Sequence, residues 1–192
     1  DLLHFLPGAE FLPYASVDPT EWTSVGTSAK RPSKLGPFRV LHMPTSRSIK
    51  GTRYVEQACA RLRAEGLPIE LVLVEHVPHA QVKDLIAHAD VVVDQLLIGW
   101  YGAFAVEAMA MGKPVLCYLR DEDAKRFVPF HDRIPIVRTT KETLAHDLND
   151  LLRSQSRCDE LGEAGRRFVT EWHNPLRIAR QTMVAYHSSC AG

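Results

Sequence analysis

From residue 37 onward, short apolar runs alternate with segments of helical period, and that alternation narrows the chain to one fold class. The runs are PFRVLHM (37–43), PIELVLVE (68–75), DVVVDQ (90–95), PVLCYL (114–119) and RIPIVRT (133–139). Between them, GTRYVEQACARLRAE (51–65) sets Val55, Cys59 and Leu62 on one helical face. HAQVKDLIAHA (79–89) does the same with Val82, Leu85 and Ile86, and GAFAVEAMAM (102–111) reads as a short, mostly apolar helix. Three further helices are expected at 140–153, 156–172 and 175–187, with Asn174 capping the last and Pro175 at its first position. Strands that are apolar throughout are buried on both faces. The expected fold is therefore α/β: a Rossmann-like parallel sheet with helices on both faces, over residues 37–192. Residues 1–36 carry Pro7, Pro13, Pro19 and Pro32 and read as a lead-in or interdomain linker. The chain opens on Asp1, which reads as a fragment or processed chain.

Charge excludes two broad classes of partner. Lys plus Arg and Asp plus Glu each number 23. A nucleic-acid binder or a polybasic membrane binder relies on excess positive charge, so no nucleic acid is expected and no membrane association is evident in this segment. The apolar runs are too short to span a bilayer. Cys59, Cys117, Cys158 and Cys190 form no CxxC pair and read as free thiols in a reducing, cytoplasmic compartment.

In sheets of this kind ligands bind beyond the carboxyl ends of the strands, so the informative loops are 43–51, 75–79, 94–102 and 119–132. LHMPTSRSIKGT (41–52) holds Thr45, Ser46, Arg47 and Lys50 before Gly51 opens a helix. A helix N-terminus with two cations beside it suits a diphosphate; a solvated turn with ordinary surface cations is the alternative. Neither GxxxxGK[ST] nor GxGxxG is present. In DQLLIGWYGAFAVEAMAMGKPVL, Gly99 and Gly102 bracket Trp100 and Tyr101, and Ala103 and Phe104 begin a helix with their N–H groups toward the crevice. Glu107 lies one turn further on. An ionised carboxylate in so apolar a helix needs hydrogen bonds or a charge partner. A ribose diol or an internal bridge to Arg47 or Lys50 would each serve.

Together these residues resemble the donor-binding half of group 1 glycosyltransferases of the GT-B fold. The shared features are the Arg/Lys–Gly loop after the first strand and a G-x-x-x-x-E-A-x-A-x-G-x-P-V stretch, here running from Gly102 through Glu107 and Gly112 to Pro114 and Val115. The resemblance covers most of the chain from Pro37, and the lead-in resembles that family's interdomain segment. It implies a retaining, metal-independent transfer of sugar from a nucleoside-diphosphate sugar, which is a substrate; no cofactor is expected. Arg47 and Lys50 would stabilise charge on the departing diphosphate. N–H groups of Gly102, Ala103 and Phe104 would add donors, Glu107 would hold the ribose, the base would lie near His76 and Val77, and Tyr101 would stack. The acceptor site would belong to an N-terminal domain of the same protein, leaving this domain inactive in isolation.

Two departures from the family pattern stand out. A glutamate usually precedes the ribose-binding one by eight positions, and Gly99 stands there; Asp94 or Gln95 is the candidate replacement for contacting the sugar. The connection between the second strand and HVPHAQVKDL also lacks an extra strand–helix unit that many members carry. The rival readings are a non-catalytic Rossmann-like interaction domain and a nucleotide-sugar epimerase of GT-B fold. His76 and His79 lack a third metal ligand and read as loop or capping histidines, so no metal is expected. DEDAK (121–125) reads as a solvated acidic turn. Asp90 and Asp94, at opposite ends of one strand, are roughly 13 Å apart, too far for a carboxylate pair.

Overall fold

The computed structural model describes residues 11–13, 17–18, 20–22 and 36–190. Five strands form one parallel sheet: β1 (Phe38–His42), β2 (Ile69–Leu73), β3 (Val91–Val93), β4 (Val115–Cys117) and β5 (Val137–Arg138), in the order β2-β1-β3-β4-β5. All four pairings are parallel. The helices are α1 (Arg47–Lys50), α2 (Thr52–Ala64), α3 (Val82–Ala87), α4 (Ala103–Ala110), α5 (Asp121–Phe127), α6 (Leu144–Arg153), α7 (Gln155–Trp172) and α8 (Pro175–Cys190). This is the Rossmann-like architecture expected from the alternation.

Successive strand residues feed opposite faces, because side chains alternate along a pleated strand. Phe38 and Val40, Val91 and Val93, and Leu116 pack with Val55, Cys59, Leu62, Leu144 and Leu148 on one side. Leu41, Val92, Val115 and Cys117 pack with Ile86, Val106, Met109 and Phe168 on the other. Both faces are therefore covered. The second of these clusters also takes in Val17 and Trp22. Two residues of the segment read as a lead-in thus belong to the core; most of that segment lies outside the described residues.

Three local readings need correction. The loop after β1 contains a helical turn, α1, whose Arg47 carbonyl accepts the Gly51 N–H (3.1 Å). The N–H at the head of α2 is thereby consumed, so that helix start is less open than the sequence suggests. DEDAK is the body of α5 and not a turn. Residues 133–139 contribute only Val137 and Arg138 to the sheet, although Ile134 and Ile136 are buried. Pro135 cannot donate a ladder hydrogen bond, which accounts for so short a strand.

Burial sets the thiol chemistry. Cys59, Cys117 and Cys158 are buried thiols. Burial pushes the Cys59 thiol up to about 11 and raises that of Cys117 well above its ordinary value. A thiol-specific chromogenic reagent at pH 8 is expected to leave all three unmodified in the native protein and to label them at once in denaturant. Rapid native labelling at any of the three would contradict this packing.

Candidate active site

The chain leaves β1 for β2 on one side of the sheet and reaches β3 on the other, so the switch point lies between β1 and β3. The loops after these two strands bound the crevice that such a switch opens. Beneath it, His42 ends β1 fully buried; its Nδ1 lies 2.8 Å from the Val93 carbonyl and its Nε2 3.0 Å from the Thr52 hydroxyl. The Val93 carbonyl requires a proton on Nδ1, and in the neutral ring Nε2 then accepts the Thr52 hydroxyl. It joins β1 to β3 and to the first residue of α2. Burial pushes the His42 pKa below its ordinary value. A folded pKa below the unfolded one means that the unfolded chain binds the extra proton. The His42 contribution is thus complete above about pH 6.5 and is lost as pH falls below it. Thermal melts from pH 7.5 to 5.5 are expected to show a falling Tm, with a shallower slope in a His42→Gln variant.

The α1 turn sends its two cations in opposite directions. Arg47 reaches across to the end of β2, where Glu75 accepts from its Nε (2.9 Å) and Nη2 (2.6 Å); Glu56 lies 3.4 Å from Nη1. That hydrogen bonding holds the Glu75 carboxyl below its usual range. Lys50 reaches the other way and donates to Asp94 Oδ1 at 2.7 Å. The second Asp94 oxygen accepts the Gly102 N–H at 2.7 Å, at the head of α4. The Asp94 carboxylate is fully buried and the Lys50 side chain is 14% exposed.

The order of the strands explains this division. β1 lies between β2 and β3, so a turn leaving β1 has the ends of both as neighbours. The structure gathers Lys50, Asp94, Gln95 and Gly102 at the switch point, with Ala103 and Phe104 as the first two residues of α4. Gln95 is buried, and its carbonyl accepts the Tyr118 N–H. Thr45 is exposed, and Ser46 lies 3.3 Å from the Ser48 hydroxyl. His76 is exposed with φ 55°, the left-handed region, and Val77 is half-buried beside it.

Several assignments change. Glu107 is buried in α4, yet its partner is neither Arg47 nor Lys50: Oε1 lies 2.8 Å from His79 Nε2. His79 itself is 70% exposed. Nothing in the sequence pairs the two, since they are 28 residues apart and meet only through the turn that precedes α3. The Gly102 N–H is committed to Asp94, which leaves the first-turn N–H groups of Ala103 and Phe104 without intrahelical acceptors. Tyr101 is not a stacking surface. It is 1% exposed, and its hydroxyl lies 3.0 Å from buried His173 Nε2. A phenol buried beside an imidazole anchors the loop to the end of α7.

Gly99 has φ +88°, and a Cβ there would lie 3.1 Å from the Arg120 Cβ. A glutamate at this position would meet both a left-handed backbone and a neighbouring side chain. Glu75 is not among the sequence candidates, although a carboxylate just past the strand beside β1 is a natural partner for Arg47.

The fold and the charged pair at its switch point define the chain as a Rossmann-like domain with polar groups at the strand ends. The chain matches the family model described as "Glycosyl transferases group 1" over residues 42–168, and it belongs to that family. Among solved structures it is similar to Anabaena HepE in complex with UDP and glucose, with a TM-score of 0.67 and 18% identity over 90% of this chain and 55% of that one. It is similar to sucrose-phosphate synthase from Thermosynechococcus elongatus, with a TM-score of 0.61 and 21% identity over 94% of this chain and 50% of that one. It also resembles the C-terminal domain of a group 1 family glycosyl transferase (LpcC) from Francisella tularensis, with a TM-score of 0.57 and 14% identity over 81% of this chain and 97% of that one. The chain thus spans about half the length of the first two. No curated protein sequence matches it significantly. Among the described residues, no helix is long and apolar enough to cross a membrane, and no group of three or more His, Cys, Asp or Glu could hold a metal ion.

Proposed function

We propose that residues 37–192 form the C-terminal, donor-binding domain of a retaining glycosyltransferase that takes sugar from a nucleoside-diphosphate sugar. The observation that carries the reading is the meeting of the Lys50 ammonium, Asp94 and the head of α4 at the switch point of a group 1 family chain. Lys50 would face the diphosphate, with the Ala103 and Phe104 N–H groups as further donors, and Arg47 would have to turn away from Glu75 to join them. When the bond from the anomeric carbon to the β-phosphate oxygen breaks, negative charge grows on the departing diphosphate. Fixed cations and helix-end N–H groups stabilise that charge, and the reading needs no metal. Glu107 uses one oxygen on His79, and Oε2 would accept a ribose hydroxyl. The base would lie near His76 and Val77.

The acceptor would be held by an N-terminal domain of the same protein, working in the cytoplasm. Isothermal titration of this domain with UDP-, GDP- and ADP-glucose is expected to show binding of one of the three without sugar transfer. A folded domain that binds none of them would sink the reading.

One observation favours a second reading, a non-catalytic interaction domain. Arg47, Lys50 and Glu107 each already have a protein partner, so a ligand must displace or share Glu75, Asp94 and His79. On that reading no nucleotide binds, and alanine at these positions leaves partner binding intact.

A further inference from the structure

We propose that Asp94 is a positioning residue for Lys50 and not a contact to the transferred sugar; this rests on the donor-site reading above. Its carboxylate has no exposed surface, and both oxygens face protein donors: Lys50 Nζ at 2.7 Å and the Gly102 N–H at 2.7 Å. A sugar hydroxyl would have to displace one of these. Doing so would strip a buried carboxylate of a charge-assisted hydrogen bond.

Lys50, by contrast, has something left to offer. An ammonium carries three donors, and Asp94 takes one. The Lys50 main chain is tethered to the same loop, its carbonyl accepting the Leu96 N–H at 3.2 Å. Held at both ends, the side chain is spared the rotamer freedom that a lysine on a surface turn ordinarily has. Gly102 completes the device. A Cβ there would lie 3.5 Å from both Asp94 Oδ2 and Lys50 Nζ, in the space between the ion pair and the head of α4. Asp94 thus sets where the Lys50 charge stands relative to that helix end, where the diphosphate would bind.

The test compares Asp94→Asn, which keeps shape and removes charge, with wild type. Its two readouts are binding of the free nucleoside diphosphate and of its glucose conjugate, and acetylation of Lys50 followed by mass spectrometry. In wild type, Lys50 should acetylate more slowly than Lys141, whose side chain is 45% exposed. In Asp94→Asn, Lys50 should react several-fold faster, and both ligands should bind about tenfold more weakly with their affinity ratio unchanged.

Weakening confined to the sugar conjugate would overturn the proposal and return Asp94 to the sugar. A folded variant with unaltered affinities would overturn it too, leaving Asp94 only a stabilising role. If wild type binds no nucleotide, the donor-site reading fails while acetylation still decides: faster Lys50 labelling in the variant supports the clamp, and unchanged labelling refutes it. If the variant does not fold, wild-type labelling decides, since Lys50 reacting as fast as Lys141 refutes the clamp.

Discussion

Alanine at position 162 is expected to destabilise the fold by about 1–3 kcal/mol, the usual cost of forcing a methyl group into a filled core. For a chain of this size each kcal/mol lowers Tm by roughly 2–4 °C. Gly162 sits in α7 where that helix crosses the end of α4. A Cβ there would stand inside van der Waals contact of the Gly112 carbonyl oxygen and 3.0 Å from the carbonyl carbon. The obstacle is backbone, so no rotamer change can relieve it. One turn on, a Cβ at Gly165 would lie 3.2 Å from both the Cβ and the carbonyl oxygen of Met109. The two glycines let α7 lie directly on α4, the helix that carries Glu107 and presents its N-terminus to the crevice. Calorimetric melts of Gly162→Ala and of a surface control such as Glu163→Ala check the assignment. Equal Tm values would mean that the two helices pack further apart than this contact requires. On the donor-site reading, Gly162→Ala should also weaken nucleotide binding by displacing α4, although it touches no ligand.

Glu107→Ala is expected to weaken binding of the nucleoside diphosphate by about 1.5–3 kcal/mol, the range for hydrogen bonds to a charged group. That corresponds to roughly 10- to 150-fold in Kd. Adding Arg47→Ala should take the double variant beyond the range of titration. The expectation has an internal control. His79 lends Glu107 a hydrogen bond without lying in the helix, so His79→Ala should leave the carboxylate in place and cost less than Glu107→Ala. Titrations of the three variants, each checked for a native melt, measure this. Full retention of affinity in the double variant would exclude the crevice as the nucleotide site and favour the interaction-domain reading.

The parallel sheet and its order of elements were legible in the chain, because five apolar runs spaced by helical patterns have few other ways to bury themselves. The loops of interest were legible for the same reason: a parallel sheet places its binding edge at the strand ends. The family was legible in the run from Gly102 to Val115, and the family match over residues 42–168 agrees with it. Partnerships were not legible. Arg47 with Glu75, Lys50 with Asp94, Tyr101 with His173 and Glu107 with His79 span separations of 28, 44, 72 and 28 residues. No periodicity encodes which of several nearby charges a side chain will reach.

Local composition therefore specified the elements and the loops at the strand ends, since propensity and hydrophobic period act over a few residues. Folding settled where each charge goes. The order β2-β1-β3 placed the α1 turn between two strand ends, so its two cations part, one toward Glu75 and the other toward Asp94. Burial then turned Tyr101 inward and closed both Asp94 oxygens. These outcomes depend on distances across the sheet, which exist only once β1, β2 and β3 lie side by side.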